Sequence, residues 1–169
     1  MIVVDASVLV TALGDDGPDG RRARARLVGE RLAAPAIVDL EVLSAWRRIW
    51  LAGQLGLDRV DAALADLESL RLERVPHRRM LRRCWELRDN ATAYDAAYVA
   101  LAEDLGVTLV TADRRLTEAP GPRCEVEPHR MNGESPASAN EELGEHVEVV
   151  GPASIVDPDV DAEGAAHAP

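Results

Sequence analysis

Thr92-Ala93-Tyr94-Asp95-Ala96-Ala97-Tyr98-Val99-Ala100-Leu101-Ala102-Glu103-Asp104-Leu105-Gly106-Val107-Thr108-Leu109-Val110-Thr111-Ala112-Asp113 decides the fold. Its first half predicts a helix over 92–105. Thr92 three residues before Asp95 fits a capping box, although the usual fourth residue is Glu or Gln, and Gly106 is a stop signal. Its second half predicts a strand over 107–111, since a short apolar run bounded by turn residues suits a buried strand. Asp113 follows two residues past that strand. A helix feeding directly into a short apolar strand is the repeating unit of an α/β sheet.

The same reading extends outward. Ile2-Val3-Val4 predicts a first strand ended by Asp5. Residues 72–75 predict another, stopped by Pro76, and 124–127 give a weaker strand signal. Residues 14–20 read as a Gly- and Asp-rich loop. Helices are predicted over 21–32, 35–52, 57–70 and 77–88. The first of these sets Arg on one face and Ala25, Val28 and Leu32 on the other. Pro35 opens the second and Gly53 ends it. Ile37, Leu40, Leu43 and Trp46 form its apolar side, with Val42 at the margin. Asp58 is the expected N-cap of the third. Helices alternating with short apolar strands imply a mainly parallel sheet covered on both faces.

Composition narrows the chemistry. All 19 basic residues are Arg. With no Lys, a Schiff base, a P-loop lysine and a lysine general base are excluded. Cys84 and Cys124 match neither a zinc spacing nor a CxxC pair, which points to a reducing cytoplasm. The N-terminus lacks a basic n-region, so it reads as a strand rather than a signal peptide. No stretch approaches the ~18 apolar residues of a membrane span. The net charge of −11 is uneven, for residues 131–169 hold nine acids and no Arg, leaving −2 on residues 1–130. Two divalent cations would turn that core to about +2, so the acidic balance does not exclude a phosphate-rich substrate. From 131 to 169 the low apolar density and one-sign charge favour disorder. The expected division is therefore a 1–130 catalytic domain and a 131–169 acidic tail.

Asp5, Glu41, Asp95 and Asp113 are the candidate site. In open α/β sheets, ligands bind outside the carboxyl ends of the strands. Acids gathered there with few bases suit a hard divalent cation, held through oxygen. Each acid also has a structural explanation. Asp5 and Ser7 would serve as helix N-caps, Asp95 as part of a capping box, Glu41 as a solvated helix residue, and Asp113 as a turn or Arg partner. Asp39 competes with Glu41 as the relevant acid of its helix.

The arrangement of the four resembles the PIN-domain family and, within it, the VapC-type toxins of bacterial toxin–antitoxin pairs. The matching stretches are Ile2-Val3-Val4-Asp5-Ala6-Ser7, Pro35-Ala36-Ile37-Val38-Asp39-Leu40-Glu41-Val42, Thr92 to Ala102, and Leu109-Val110-Thr111-Ala112-Asp113-Arg114-Arg115-Leu116. The resemblance spans about residues 1–128 and leaves the tail aside. It implies a three-layer α/β/α sandwich around four to five short strands. It also implies an endoribonuclease dependent on one or two Mg²⁺ or Mn²⁺ ions, with Asp5, Glu41, Asp95 and Asp113 as the metal-binding, catalytic acids. Asp5, Asp95 and Asp113 would form the main cluster, and Glu41 would bind a second ion or orient water. Ser7, Thr111 and Asn90 are expected to orient carboxylates or water around them. Arg114 and Arg115, beside Asp113, are the candidate RNA phosphate contacts. The implied partners are RNA, a cognate antitoxin and a second copy of the chain. Trp46 and Trp50, one turn apart, read equally as core or dimer packing or as a groove for a partner helix.

Other function classes fit less well. An aspartyl-phosphate phosphatase needs a second acid at position 7, where this chain has Ser. A phospho-receiver needs a lysine, and a dinucleotide site needs GxGxxG. The remaining alternative is a catalytically silent PIN-like module that binds RNA or protein.

Overall fold

A computed structural model describes residues 1–130 of the 169. The acidic tail expected over 131–169 lies outside the described residues. The chain runs β1 (Ile2–Val4), α1 (Ala6–Gly14), α2 (Pro18–Leu27), β2 (Leu32–Pro35), α3 (Val38–Leu51), α4 (Leu57–Ser69), β3 (Leu72–Val75), a 3₁₀ turn (His77–Met80), α5 (Leu81–Glu86), α6 (Ala93–Leu105), β4 (Leu109–Thr111), α7 (Arg114–Glu118) and β5 (Val126–Pro128). The five strands form one sheet in the order β3-β2-β1-β4-β5, and every neighbouring pair is parallel. Val3 stands opposite Ala33 on one side and Leu109 on the other. Ile2, Val3 and Val4 are all buried, as are Leu109, Val110 and Thr111. Successive strand residues face opposite sides, so both faces of the sheet are covered, as expected of a parallel sheet.

The strand order places the site. After β1 the chain builds outward through β2 and β3, then returns to lay β4 against the other edge of β1. The carboxyl ends of β1 and β4 therefore flank the topological switch point, the usual ligand crevice of such sheets. Asp5 follows β1 directly, and its N–H bonds to Val110 O at 3.0 Å. Asp113 follows β4.

Several boundaries differ from the sequence expectation. Helix α1 is not legible as a helix because it is buried nearly all round: Ala6, Val8, Leu9, Val10, Thr11 and Ala12 are all inside. No 3.6-residue period stands out, and Val8, Val10 and Thr11 favour strands by propensity. The helix expected over 21–32 begins at Pro18 and stops at Leu27. Gly29, at φ +81°, turns the chain into β2. The Leu32-Ala33-Ala34-Pro35 strand lacks β-branched residues, so nothing in its composition announces it. Pro35 ends this strand rather than opening α3, a tolerated position because it needs no further ladder donor. Ala23 rather than Val28 faces the core from α2, and Val28 is exposed.

Helix α3 is rotated from the expected face. Val38, Val42, Ala45 and Trp46 are buried, while Leu40 is exposed. The two tryptophans separate. Trp46 is a core residue whose Nε1–H donates to Val10 O at 3.3 Å, and Trp50 reaches the surface. The N-cap of α4 is Gly56, with Asp58 inside its first turn. Helix α6 follows the expectation closely: Thr92 caps it and Gly106 ends it at φ +65°, a left-handed conformation that favours glycine. No helix among the described residues is long and apolar enough to cross a membrane. Cys84 and Cys124 are free thiols.

Candidate active site

Asp5 occupies the N-cap position of α1 but its carboxylate caps nothing. It points instead at hydroxyls. Ser7 Oγ donates to Asp5 Oδ2 at 2.5 Å, and Thr111 Oγ1 donates to the same oxygen at 2.7 Å. Neither hydroxyl caps α1 either. Ser7 Oγ accepts from Ala112 N–H, and Thr111 Oγ1 accepts from Asp113 N–H, both at 3.0 Å. A hydroxyl has one proton to give. With backbone N–H groups fixing the accepting side, both protons are directed at Asp5. The β1 and β4 ends are thereby stitched together through one carboxylate, and Asp5 Oδ1 accepts no hydrogen bond among the described residues.

Asp95 repeats the arrangement on α6. Its N–H donates to Thr92 Oγ1 at 3.2 Å, and Thr92 Oγ1 donates to Asp95 Oδ2 at 2.7 Å. The capping box is thus closed through the threonine hydroxyl. Asp113 is the N-cap of α7, with Oδ1 accepting from Arg115 N–H at 2.8 Å. Glu41, on α3, accepts a 2.6 Å hydrogen bond at Oε2 from the phenol of Tyr98. Asp39, the competitor on the same helix, is engaged elsewhere in a two-pronged pair with Arg74.

The acids are close enough to feel one another. Burial pushes the Asp5 carboxyl above its ordinary value; Ser7 and Thr111 oppose the rise, and the charges of Asp95 and Asp113 add to it. Burial likewise raises Asp95, with Thr92 opposing, Asp113 adding, and Arg115 pulling down. Glu41 is pushed up to about 7, chiefly by burial, with Tyr98 opposing and Asp5 and Asp95 adding. Glu41, Asp5, Asp95 and Asp113 therefore share one electrostatic neighbourhood at the carboxyl end of the sheet. Arg115 is exposed, and its pull on Asp95 makes it the cation of the proposed phosphate pair that acts on this cluster. Arg114 is also exposed on α7.

Other expected participants lie apart. Asn90 is exposed, stands beside Gly121 and makes no hydrogen bond to the four acids. The basic residues of α2 are largely occupied by structure: Arg24 donates to Ala12 O and Asp15 O, and Arg26 grips Glu127 with two nitrogens. His129 follows β5, its N–H bonded to Thr111 O at 2.7 Å, and its Nε2 is buried with no hydrogen-bond partner among the described residues.

Tyr98 is the participant that sequence reading overlooks. It sits on the buried stripe of α6 and looks like a core aromatic. The one available signal is its hydroxyl, because a buried Tyr O–H needs a partner.

The donor set suits a hard cation: oxygen ligands only, crowded like charges, and carboxyls that resist ionisation until a positive charge arrives. Among the described residues no three acids, histidines or cysteines already close into a cage around one point. Mg²⁺ does not require such a cage, since one or two carboxylates with waters and substrate oxygens commonly complete its shell.

Comparison with known proteins bears on the family and the fold. The PIN domain profile matches residues 2–122. The VapC ribonuclease Mb0985 of Mycobacterium bovis is 43% identical over 126 residues, covering 75% of this chain and 96% of that protein. FitAcB from Neisseria gonorrhoeae superposes with a TM-score of 0.56 at 19% identity, covering 76% of this chain and 98% of that one. A toxin–antitoxin complex from Klebsiella pneumoniae gives a TM-score of 0.53 at 18% identity, with 77% and 98% covered. At such identities the two structures speak to the fold alone.

Proposed function

The chain belongs to the PIN-domain family, and on that premise we propose that it is a VapC-type endoribonuclease toxin whose catalytic group is Asp5, Glu41, Asp95 and Asp113. The observation that carries the reading is the convergence of four like charges at the switch point of the sheet. A fold held only by packing has no use for a buried acid and three half-buried ones that repel one another.

Asp5, Asp95 and Asp113 would hold Mg²⁺ or Mn²⁺, with Glu41 binding a second ion or orienting water. The ion, when bound, supplies positive charge to the phosphoryl oxygens and favours ionisation of an attacking water. The chain's own groups do the positioning. Ser7 and Thr111 hold Asp5 Oδ2 and leave Oδ1 without a hydrogen bond among the described residues, and Thr92 fixes Asp95. Arg115, with Arg114, meets the RNA backbone beside the acids. A cognate antitoxin restrains the toxin, and two copies pair as a homodimer. The free thiols of Cys84 and Cys124 suit action in a reducing cytoplasm.

The test is cleavage of a labelled cellular RNA pool by antitoxin-free protein, in Mg²⁺ or Mn²⁺ and in EDTA, beside Asp95→Asn. Cutting that needs the metal and vanishes in the variant is expected. Full activity in Asp95→Asn would remove Asp95 from the catalytic group. A folded wild type that neither cuts RNA nor binds Mn²⁺ would favour a silent binding module instead.

A further inference from the structure

Asp95 and Tyr98 are three residues apart on α6 and so share a face of the helix. Asp95 is hydrogen-bonded to Thr92 at the start of the helix. Tyr98 goes deeper: its side chain has no solvent exposure at all, and its hydroxyl donates to Glu41 Oε2 at 2.6 Å, across 57 residues of sequence. Glu41 belongs to α3 and has no other hydrogen-bond donor on its carboxylate among the described residues. The phenol is thus what ties the α3 acid to the helix that carries Asp95.

The surroundings of the phenol extend that tie to β1. Burial pushes its pKa above the ordinary value, and the charges of Asp5 and Glu41 push it further. The backbone amide of Ala6 acts on the same oxygen in the opposite sense. Ala6 is the residue after Asp5. The phenol thus feels both the β1–α1 corner and Glu41, and it donates to one of two acids whose charges repel. Without it, a carboxylate on a flexible Glu side chain has every reason to swing away from Asp5 toward solvent.

We infer that Tyr98 is a positioning residue of the site, holding Glu41 in register with Asp5 and Asp95 through a buried phenol-to-carboxylate hydrogen bond. The inference rests on the ribonuclease reading of Glu41. It assigns no contact between Tyr98 and RNA. Its consequence is that removal of one oxygen atom, out of reach of solvent and substrate, disables the acid on a different helix.

The experiment compares wild type, Tyr98→Phe, Glu41→Gln and the double variant. The Phe ring fills the same buried space, and circular dichroism checks that the fold is kept. Two quantities are read: Mn²⁺ affinity of the RNA-free protein by calorimetry, and kcat and KM for RNA well below the melting temperature. Loss of a partner that orients a metal ligand typically costs about 10–100-fold in affinity or activity. Tyr98→Phe is expected to lose about that much in both, with KM for RNA unchanged. In the Glu41→Gln background the same substitution is expected to cost nothing further. A purely structural tyrosine would instead lower stability, leave kcat and Mn²⁺ affinity alone, and add its effect to that of Glu41→Gln; that pattern overturns the inference. Should Tyr98→Phe fail to fold, fluorotyrosine at position 98 makes the test instead, because it keeps the ring and strengthens the phenol as a donor to Glu41. A shift in Mn²⁺ affinity that disappears in the Glu41→Gln background supports the inference, and wild-type affinity rejects it. The two readings also separate. If the wild type cuts no RNA yet Tyr98→Phe and Glu41→Gln weaken Mn²⁺ equally, the ribonuclease reading fails and the positioning role stands.

Discussion

Replacing Glu41 by Gln is expected to stabilise the metal-free protein at pH 8 by about 3 kcal/mol and at pH 5 by less than about 1 kcal/mol. Burial lifts the Glu41 carboxyl from an ordinary 4.5 to about 7. An acid that resists ionisation in the folded chain holds more protons folded than unfolded. Folding stability then falls as pH rises from about 4.5 to 7. One pKa unit corresponds to ~1.4 kcal/mol, so the ionised side chain costs the fold about 3 kcal/mol at pH 8. Gln has nearly the same shape, carries no charge, and its amide oxygen still accepts from Tyr98. At pH 8 it removes most of that cost, and at pH 5 only about a quarter of the cost is present to remove. For a chain of this size the gain at pH 8 is roughly 6–12 °C in melting temperature.

The assay is urea denaturation followed by circular dichroism, wild type against Glu41→Gln, at both pH values in EDTA. Groups that titrate the opposite way, such as Glu103 and Glu127, are present in both proteins and cancel in the difference. With saturating Mn²⁺ at pH 8 the order is expected to reverse, because an ion bound by the native wild type stabilises it by mass action. A Gln variant less stable than wild type at pH 8 in EDTA, or a difference independent of pH, would refute the claim that Glu41 is a buried and strained charge.

Three further perturbations test the frame around the site. Ser7→Ala removes a donor from Asp5 and leaves the Ala112 N–H without its acceptor; urea denaturation is expected to show a loss of about 1–3 kcal/mol, and RNA cleavage a fall of roughly 10–100-fold in kcat at unchanged KM. Gly20→Ala would bring its Cβ to 1.7 Å from Asp15 O, a backbone atom that cannot move aside without opening the α1–α2 turn; a loss of roughly 3 kcal/mol or more is expected in the same assay. Arg83 holds Glu103 with two nitrogens and also donates to Gly121 O. Arg83→Ala is expected to cost about 2 kcal/mol at pH 7. Glu103 sits below its ordinary value despite burial, mainly through Arg83, so that cost shrinks as pH falls through the carboxylate range; a penalty unchanged at pH 3.5 would reject the pairing as its source.

The sheet was legible wherever a strand's composition set it apart from its neighbours. Ile2-Val3-Val4 and Leu109-Val110-Thr111 are β-branched or apolar runs ended by acids, and they lie where the sequence places them. Leu32-Ala33-Ala34-Pro35 is a strand only because β1 and β3 are there to pair with it, a tertiary effect that local propensity does not carry. Helix α1 was hidden for the opposite reason: it is buried all round, so it shows no polar face against which a period is read. The four acids were legible one by one from their places after strands and on helices. Their mutual effect was not, because it depends on side chains brought together from residues 5, 41, 95 and 113. The N-cap explanation of Asp5 and Ser7 was chemically sound and still failed. Both residues hold positions where capping is open to them, and both spend their side chains on each other and on the β4 end instead.

That choice sets the balance of forces on the acids. Burial raises Asp5 and Asp95, which favours their protonated forms. A protonated carboxyl is a poor ligand for a hard cation and a poor acceptor for a hydroxyl. Ser7, Thr111 and Thr92 each accept from a backbone N–H, a donor that no rotation can turn away, and each then directs its single proton at an acid. These bonds favour the ionised acids against the burial that opposes it. Had the fold needed only quiet caps, neutral Asn at 5 and 95 would satisfy the same hydroxyls without the repulsion. Carboxyls crowded beside one another resist joint ionisation, and a divalent cation is the group whose arrival relieves their repulsion most directly.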